Sequence, residues 1–426
     1  MDRTIEDFVR GLALDAYLVG GAVRDELLGL ESKDADFLVP GVDYDGLRRA
    51  LEPHGKVEEF EVAGRRVGAR LYPRDKSVRA AAPAGIEFAP PRAERSTGPG
   101  RHDFEIVADP GLSIEDDMAR RDFTVNAIAR RLDTGELVDP FNGAEDLRNG
   151  VLRAVSGRSF AEDPLRIVRG LRLVSQLGLT PDEATLQQMR DEAGNVRLVS
   201  GERLGDELAK LLLGAHPAEA LRLARDTGVL SELVPELDPA LDEHTLDVVQ
   251  ATADTSAGLA VRLAALLHDS GKRSGPVEDH AERGAQLARQ ALERLRYPVR
   301  LRAYVVRLIG AHAFWLEDID ERFARRFLRE HGDELAFDLV THKEADLTGK
   351  QRRQDELAVK RLRALLEQER SQPHRLQDLA IDGGDLLELG YQQGPDVGRT
   401  LDALLDAVVD DPTLNTREQL LERARP

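Results

Sequence analysis

The 426-residue chain contains no cysteine, so disulfides, thiolate zinc sites and cysteine nucleophiles are all excluded. It has no run of about 18 or more apolar residues, which excludes a membrane-spanning helix. The N-terminal stretch MDRTIEDFVRG lacks the apolar segment of a secretory signal, and the expectation is a cytoplasmic protein. A basic surplus is missing too. Lys and Arg number 59 against 78 Asp and Glu, a net charge of −19, which on whole-chain charge argues against a nucleic-acid binder. Total charge, however, says little about where charges sit. No fixed-period repeat occurs. What remains is a globular composition, 41% hydrophobic and 32% charged, with length for two to four domains.

The first 150 residues mix strand-like runs with turns. Residues 16–21, 35–40, 65–73 and 103–109 read as strands, and Ala22 to Leu28 and Glu115 to Arg130 as helices. Between Pro73 and Arg101 an Ala/Pro/Gly/Arg-rich stretch reads as a long loop. Beyond residue 150 the apolar residues recur at helical spacing. The fold class is α+β: a small mixed sheet with helices, followed by an all-α neck, body and tail. The expected divisions are 1–148, 149–237, 238–340 and 341–426.

Three elements carry chemistry in the head. Strand-like Tyr17-Leu-Val delivers Gly20-Gly21, after which a helix begins; glycines let the backbone approach a polyanion, and Arg24 lies one turn on to clasp a phosphate. Asp34 and Asp36 stand at i and i+2 on a strand, so both face one side, and paired carboxylates suit Mg²⁺ with phosphate oxygens. In Arg120-Arg121-Asp122-Phe-Thr-Val-Asn126, helical spacing sets Arg121, Val125 and Ile128 on one face. Asp122 and Asn126 fall on another, toward ribose hydroxyls, while Arg120 reaches the triphosphate. A third carboxylate is left open among Glu87, Asp103 and Glu105.

G-G-x-V-R-D-x-L-L-G followed by K-D-x-D-F resembles the signature of class II tRNA nucleotidyltransferases, the CCA-adding enzymes and bacterial poly(A) polymerases. RRDFTVNAIA (120–129), Asp139-Pro-Phe-Asn-Gly143 with Asp146-Leu, and Glu162-Asp163-Pro-Leu-Arg166-Ile-Val-Arg169-Gly-Leu-Arg172 extend the likeness over about 155 residues in the family's order. The resemblance implies a polymerase-β-like head, catalysis by Asp34 and Asp36 with Mg²⁺, and contact of Arg120 with the incoming nucleotide. Asp163, Arg166 and Arg169 are three residues apart, so on a helix they line one edge that Arg172 continues. The resemblance implies that Asp163 and Arg166 read the base of CTP or ATP without a template, supported by Arg169 and Arg172. The 73–101 stretch corresponds to the family's flexible loop, whose length favours adding A as well as C.

A second signal lies downstream. Leu266-Leu-His268-Asp269-Ser-Gly-Lys272 resembles the HD-domain metal-dependent phosphohydrolases, with His244, His280 and His312 as further ligand candidates. Imidazole and carboxylate suit Mn, Ni, Fe or Mg. The acid that closes the H…HD…D pattern is not identified by sequence.

Together these define the expectation of a template-independent enzyme that adds CCA to tRNA from CTP and ATP, releases pyrophosphate, uses Mg²⁺, and carries an HD domain with a second divalent metal. The alternatives are an A-adding-only enzyme or poly(A) polymerase, an HD phosphohydrolase with a non-catalytic RNA-binding head, and a non-enzymatic tRNA-binding protein. Local charge agrees with RNA contact. Six arginines against two acids lie between Arg148 and Arg172, and five arginines with no acid lie between Arg294 and Arg307.

Overall fold

The computed structural model describes residues 1–31, 35–62, 65–96, 104–108, 111–237, 241–273, 279–348 and 353–425. The chain divides into two compact units, Met1–Leu233 and Val234–Pro426. No helix among the described residues is long and apolar enough to cross a membrane.

The first unit opens with α1 (Arg3–Arg10), capped by Asp2, whose carboxylate accepts from the Thr4 N–H. Strands β1 (Tyr17–Val19), β2 (Asp36–Leu38), β3 (Gly55–Val62), β4 (Arg65–Pro73) and β5 (Ile86–Ala89) follow, with α2 (Gly21–Leu27), α3 (Tyr44–Leu51) and α4 (Lys76–Ala81) between them. Next come β6 (Arg92–Ser96), β7 (Phe104–Ala108), α5 (Ile114–Ala119), β8 (Ala129–Arg131), β9 (Leu137–Val138) and α6 (Gly143–Arg148). Seven strands pair in the order β3-β4-β5-β2-β1-β8-β9, parallel only at β2–β5, while β6 and β7 form a separate ribbon.

Strand alternation builds two faces. Leu18 and Phe37 point into one cluster with Phe88, the Phe37 and Phe88 rings stacking at 5.5 Å. Val19 and Leu38 point into the other, with Ile114, Met118, Ala127 and Ala129. Asp36, two residues before Leu38, therefore belongs to the second face.

The remainder of this unit, expected to be all-α, is helical apart from a short parallel pair of strands, Val151–Leu152 with Thr180–Pro181. It comprises α7 (Ser159–Glu162), α8 (Leu165–Leu177), α9 (Glu183–Glu192), α10 (Gly201–Leu212), α11 (Pro217–Asp226) and α12 (Val229–Leu233). Helix α8 has buried residues on most of its circumference and ends at Gly178, whose φ of 65° is the left-handed conformation that suits a glycine cap. The second unit holds α13 (Glu243–Asp254), α14 (Leu259–Leu267), α15 (His280–Arg294), α16 (Val299–Ala311), α17 (Glu321–His331) and α18 (Asp333–Asp346). It ends with α19 (Arg353–Glu369), α20 (Gly383–Glu388), α21 (Pro395–Asp410) and α22 (Arg417–Arg423). Arg325 is buried between α19 and α21, donating to Glu369 at 2.7 Å and to the Val409 carbonyl at 2.7 Å.

Two expectations fail. The helix read over 115–130 stops at Ala119, and Phe123 is extended and bridges Ala154 before a 3-10 turn at Thr124–Asn126 leads into β8. The 73–101 stretch is not a continuous loop either, since it contains α4, β5 and β6; residues 97–101 lie outside the described ones.

The head joins its helical neighbour through the DPFNG–DL element. Asp139 accepts from the Gly143 and Ala144 N–H groups, and Asp146 accepts from Thr124 Oγ1 at 2.8 Å and from Arg153. Gly143 lies so close to Thr124 that a Cβ would stand 2.0 Å from its carbonyl oxygen. Gly143→Ala is expected to cost about 1–3 kcal/mol, read as a lower urea midpoint for unfolding of the first unit.

Candidate functional site

A cavity of about 780 Å³ opens on the second face of the sheet. Ten of the twelve residues expected to act in the head line it: Gly20, Gly21, Arg24, Asp36, Arg120, Asp122, Asn126, Arg166, Arg169 and Arg172. Asp34 lies outside the described residues, and Asp163 is not part of the lining. Seven arginines face four carboxylates there, a local positive surplus in an acidic chain.

The cavity walls hold one another. Gly20 has φ of 69°, and a Cβ on it would meet Arg121 Nη1 at 2.6 Å, so only glycine lets β1 turn into α2 above that guanidinium. Arg121 donates to the Asn126 carbonyl, and Asp117 of α5, with no exposure to water, takes Arg120 at 2.7 Å and Arg121 at 3.3 Å. Arg24 donates to Asn126 Oδ1 at 2.7 Å, Asn126 Nδ2 donates to Asp122 Oδ1 at 3.0 Å, and Asp122 Oδ2 lies 3.2 Å from Arg169. Burial would raise the Asp122 carboxyl, but Arg169, the Asn126 amide and the Phe123 N–H outweigh it and hold it below the usual carboxylate range.

Asp122 and Asn126 are thus buried connectors between α2 and α8. Asp163, Arg166 and Arg169 do not form one helical edge, because Asp163 precedes Pro164 and is extended (φ −142°, ψ 102°), outside α8. Asp163 pairs with Arg203 of α10 at 2.9 Å. Arg166 is buried, donating to the Ser159 carbonyl and hydroxyl and to the Arg120 carbonyl. Arg172 lies 3.2 Å from Glu207; burial pushes its guanidinium down and Glu207 opposes that.

Of the three open carboxylates, Glu87 is the one that strand register brings beside Asp36, across the parallel β2–β5 pair, and it lines the same cavity and pairs with Arg70. Asp103 lies outside the described residues and Glu105 falls on the β6–β7 ribbon. Asp117, Arg203 and Glu207 were missed by sequence reasoning, although Asp117 stands three and four residues before the arginine pair, the spacing of helical ion pairs.

In the second unit, five of the chain's ten histidines converge with two acids. His244 Nε2 lies 3.0 Å from Asp346 Oδ1, and His268 Nε2 lies 3.7 Å from that oxygen and 3.2 Å from Asp269 Oδ2. His280 Nε2 and His312 Nε2 are 3.2 Å apart. His342, one turn before Asp346 on α18, is buried with its ring centre 5.0 Å from His268 and 5.6 Å from His312. Neither of its nitrogens has a hydrogen-bond partner among the described residues. The sequence signal for both residues was the His/Asp pair at i, i+4 in HKEAD.

Glycines bring these elements close. A Cβ on Gly271 would meet the His280 carbonyl at 2.2 Å, so the turn after His268-Asp269 lies directly on α15. Burial opposes a charged ring at His268, but Asp269 and Asp346 outweigh it and lift it to about 9. Burial pushes His312 down to about 4 and His342 well below the usual imidazole value.

A basic cavity of this size over a mixed sheet, floored by adjacent carboxylates, defines a nucleotidyltransferase-type head. A family described as the poly A polymerase head domain matches residues 16–153. A probable RNA and SrmB-binding site of polymerase A matches 178–241, and a tRNA nucleotidyltransferase domain 2 matches 282–424. The multifunctional CCA protein of Azoarcus sp. (strain BH72) is 40% identical over 320 residues, covering 70% of this chain and 73% of that protein. That of Neisseria gonorrhoeae (strain FA 1090) is 38% identical over 308 residues, 67% of this chain and 70% of its own. Bacillus stearothermophilus CCA-adding enzyme, solved in complex with CTP, superposes with a TM-score of 0.74 at 27% identity, covering 99% of this chain and 95% of that one. The chain belongs to the family of the multifunctional CCA proteins.

Asp122→Asn removes the charge opposite Arg169 and is expected to cost roughly 1–3 kcal/mol at neutral pH. Because the folded carboxyl titrates below its unfolded value, its contribution is present above the usual carboxylate range and is lost as pH falls through the depressed value. The urea-unfolding difference between the two proteins should therefore shrink on acidification.

Proposed function

We propose that this chain completes the 3′ end of tRNA in the cytoplasm, adding C, C and A from CTP and ATP without a nucleic-acid template and releasing pyrophosphate. The observation that carries the reading is that the glycine turn, Asp36 and the motif arginines meet in one cavity. The names of the related proteins and the head, RNA-binding and second-domain matches support it.

Members of this family use divalent metal, generally Mg²⁺. The donor set fits it, since Asp36 and Glu87 are neighbours in strand register at the cavity floor, with Asp34 as the further ligand expected from sequence. Bound there, Mg²⁺ supplies charge neutralisation for the leaving pyrophosphate and a lowered pKa for the attacking 3′-hydroxyl. The protein's own part is orientation. Gly20 and Gly21 present backbone to the triphosphate, and Arg24 and Arg120 exchange Asn126 and Asp117 for phosphate oxygens. Asp163 and Arg166 select the base by offering acceptors and donors to its edge, exchanging for it Arg203 and the Ser159 and Arg120 carbonyls that hold them in its absence, with Arg169 and Arg172 holding that edge in place. Four parts, 1–148, 149–237, 238–340 and 341–426, serve as catalytic head, neck, body and tail in this reading.

The histidine cluster reads as an HD-type site for Mn, Ni or Mg. Asp346 takes the place of the closing acid, beside His244, His268, Asp269, His280 and His312. Imidazole and carboxylate donors and the orphaned His342 nitrogens fit a divalent cation. Such an ion supplies Lewis acidity toward a phosphate ester, giving a phosphomonoesterase or 2′,3′-cyclic phosphodiesterase beside the transferase.

Incubation of tRNA ending before CCA with each nucleotide singly and in pairs tests the main reading. C and A incorporation is expected, and A added only to a CC end points instead to the partial enzyme. Asp36→Ala should reduce incorporation at least about a thousandfold, several kcal/mol of transition-state stabilisation, with tRNA binding in a gel-shift assay retained. Activity near that of the parent would overturn the carboxylate assignment.

A further inference from the structure

We propose that Arg70 is a positioning residue for the floor of the first-unit cavity, holding Glu87 in place beside Asp36; this rests on the reading of Asp36 and Glu87 as ligands of a divalent cation. Strand register sets the groups in one row. Asp36 on β2 is the partner of Glu87 on β5, Glu87 is the partner of Arg70 on β4, and Arg70 is the partner of Glu58 on β3. Residues directly opposite one another share a face of the sheet. Across four strands, two acids, a guanidinium and a further acid therefore stand side by side.

Charge decides how that row behaves. Like charges directly opposite on neighbouring strands are unfavourable. Glu87 has the longer side chain of the two acids and is part-exposed, so it has room to swing away from Asp36. Arg70 opposes this. Its Nε donates to Glu87 Oε1 at 3.2 Å, and its Nη2 donates to the same oxygen. A fork on both oxygens would occupy the whole carboxylate. With both bonds on Oε1, the group is held while Oε2 is left to a cation. Glu58, on the other side of Arg70, is taken by Lys56 at 2.6 Å.

Arg70 is itself held. Its guanidinium carbon lies 4.9 Å from the ring centre of Phe60, which lines the cavity with Glu87. Gly85 leaves room for the stem, since a Cβ there would stand 2.7 Å from Arg70 Cγ and 2.9 Å from its Cδ. The positive charge of Arg70 also repels a cation, but from the far side of Glu87 and at a part-exposed place where water and salt screen it. Ordering acts on the ligand group directly. Partners standing behind a metal ligand commonly change affinity by about 10–100-fold.

The test uses the full-length protein with Fe²⁺ in place of Mg²⁺, plus ascorbate and peroxide, which cut the backbone beside a bound ion. Cuts that Asp36→Ala abolishes report the head, and their suppression by Mg²⁺ reads its affinity there. Arg70→Met should raise the Mg²⁺ concentration for half-suppression by about tenfold or more. The Mg²⁺ needed for half-maximal C addition should rise by a like factor, while kcat recovers at saturating Mg²⁺. Arg70→Lys, which keeps the charge, should regain part of the loss. In a Glu87→Gln background Arg70→Met should add nothing, because the residue acts through that carboxylate. Equal or tighter Mg²⁺ binding by Arg70→Met, or a fully additive loss in the Glu87→Gln background, overturns the positioning role and leaves the metal reading standing. Absence of any Asp36-dependent cut in the parent overturns both.

Discussion

Two buried carboxylates, Asp117 and Asp122, decide where four arginines of the cavity go. Asp117 binds Arg120 and Arg121 directly, and Asp122 binds Arg169 directly and Arg24 through Asn126. Without them, guanidinium groups clustered around one cavity would repel one another and turn toward water. With them, the arginines are held at the cavity wall, and α2, α5 and α8 are tied to one 3-10 turn. A phosphate chain entering the cavity competes with these carboxylates for donors already in position, so little side-chain entropy is left to lose on binding. The same arrangement explains the glycine at position 20, because the Arg121 guanidinium occupies the space a side chain would need.

How much of this was legible in the sequence depends on the range of the interaction involved. Strands β1, β2, β4 and β7 and helix α2 follow from local apolar runs and turn residues, and they stand close to where the sequence puts them. The helix expected through RRDFTVNAIA fails for a tertiary reason. Val125 and Ile128 are buried and apolar at helix-like spacing, but the chain before them is set by Phe123, which bridges Ala154, whose neighbour Arg153 pairs with Asp146. Local periodicity cannot show that competition. Asp163 was misplaced for a reason that was visible, since a residue before proline disfavours the helical conformation. The split of the 73–101 stretch into α4, β5 and β6 was masked by its composition.

The candidate site shows the same division. Motif residues come together in one cavity because motifs mark side chains whose identity the chemistry restricts. The residues behind them, Asp117, Glu207 and Arg203, serve by position alone, and position is a property of the fold. In the second unit the HD dipeptide was legible, whereas Asp346 and His342 required the packing of α18 against α13 and α14 to be seen.

The net charge of −19 now has a local meaning. In the first unit Arg48, Arg66 and Arg131 are each matched to acids on exposed surface, as Arg322, Arg326 and Arg375 are in the second. Exposed pairs of this kind contribute little to stability, typically under about 1 kcal/mol. They do set the surrounding field. Where acids consume basic groups over most of a surface, an anionic ligand meets attraction only at the place where arginines outnumber acids. The cavity is such a place, and its carboxylates sit at the floor and behind the arginines. An acidic exterior around a basic pocket disfavours nonspecific adhesion along RNA, while a chain end that reaches the pocket is still drawn in. Low net affinity for the body of an RNA and high affinity for its end are compatible, because the two properties are carried by different residues.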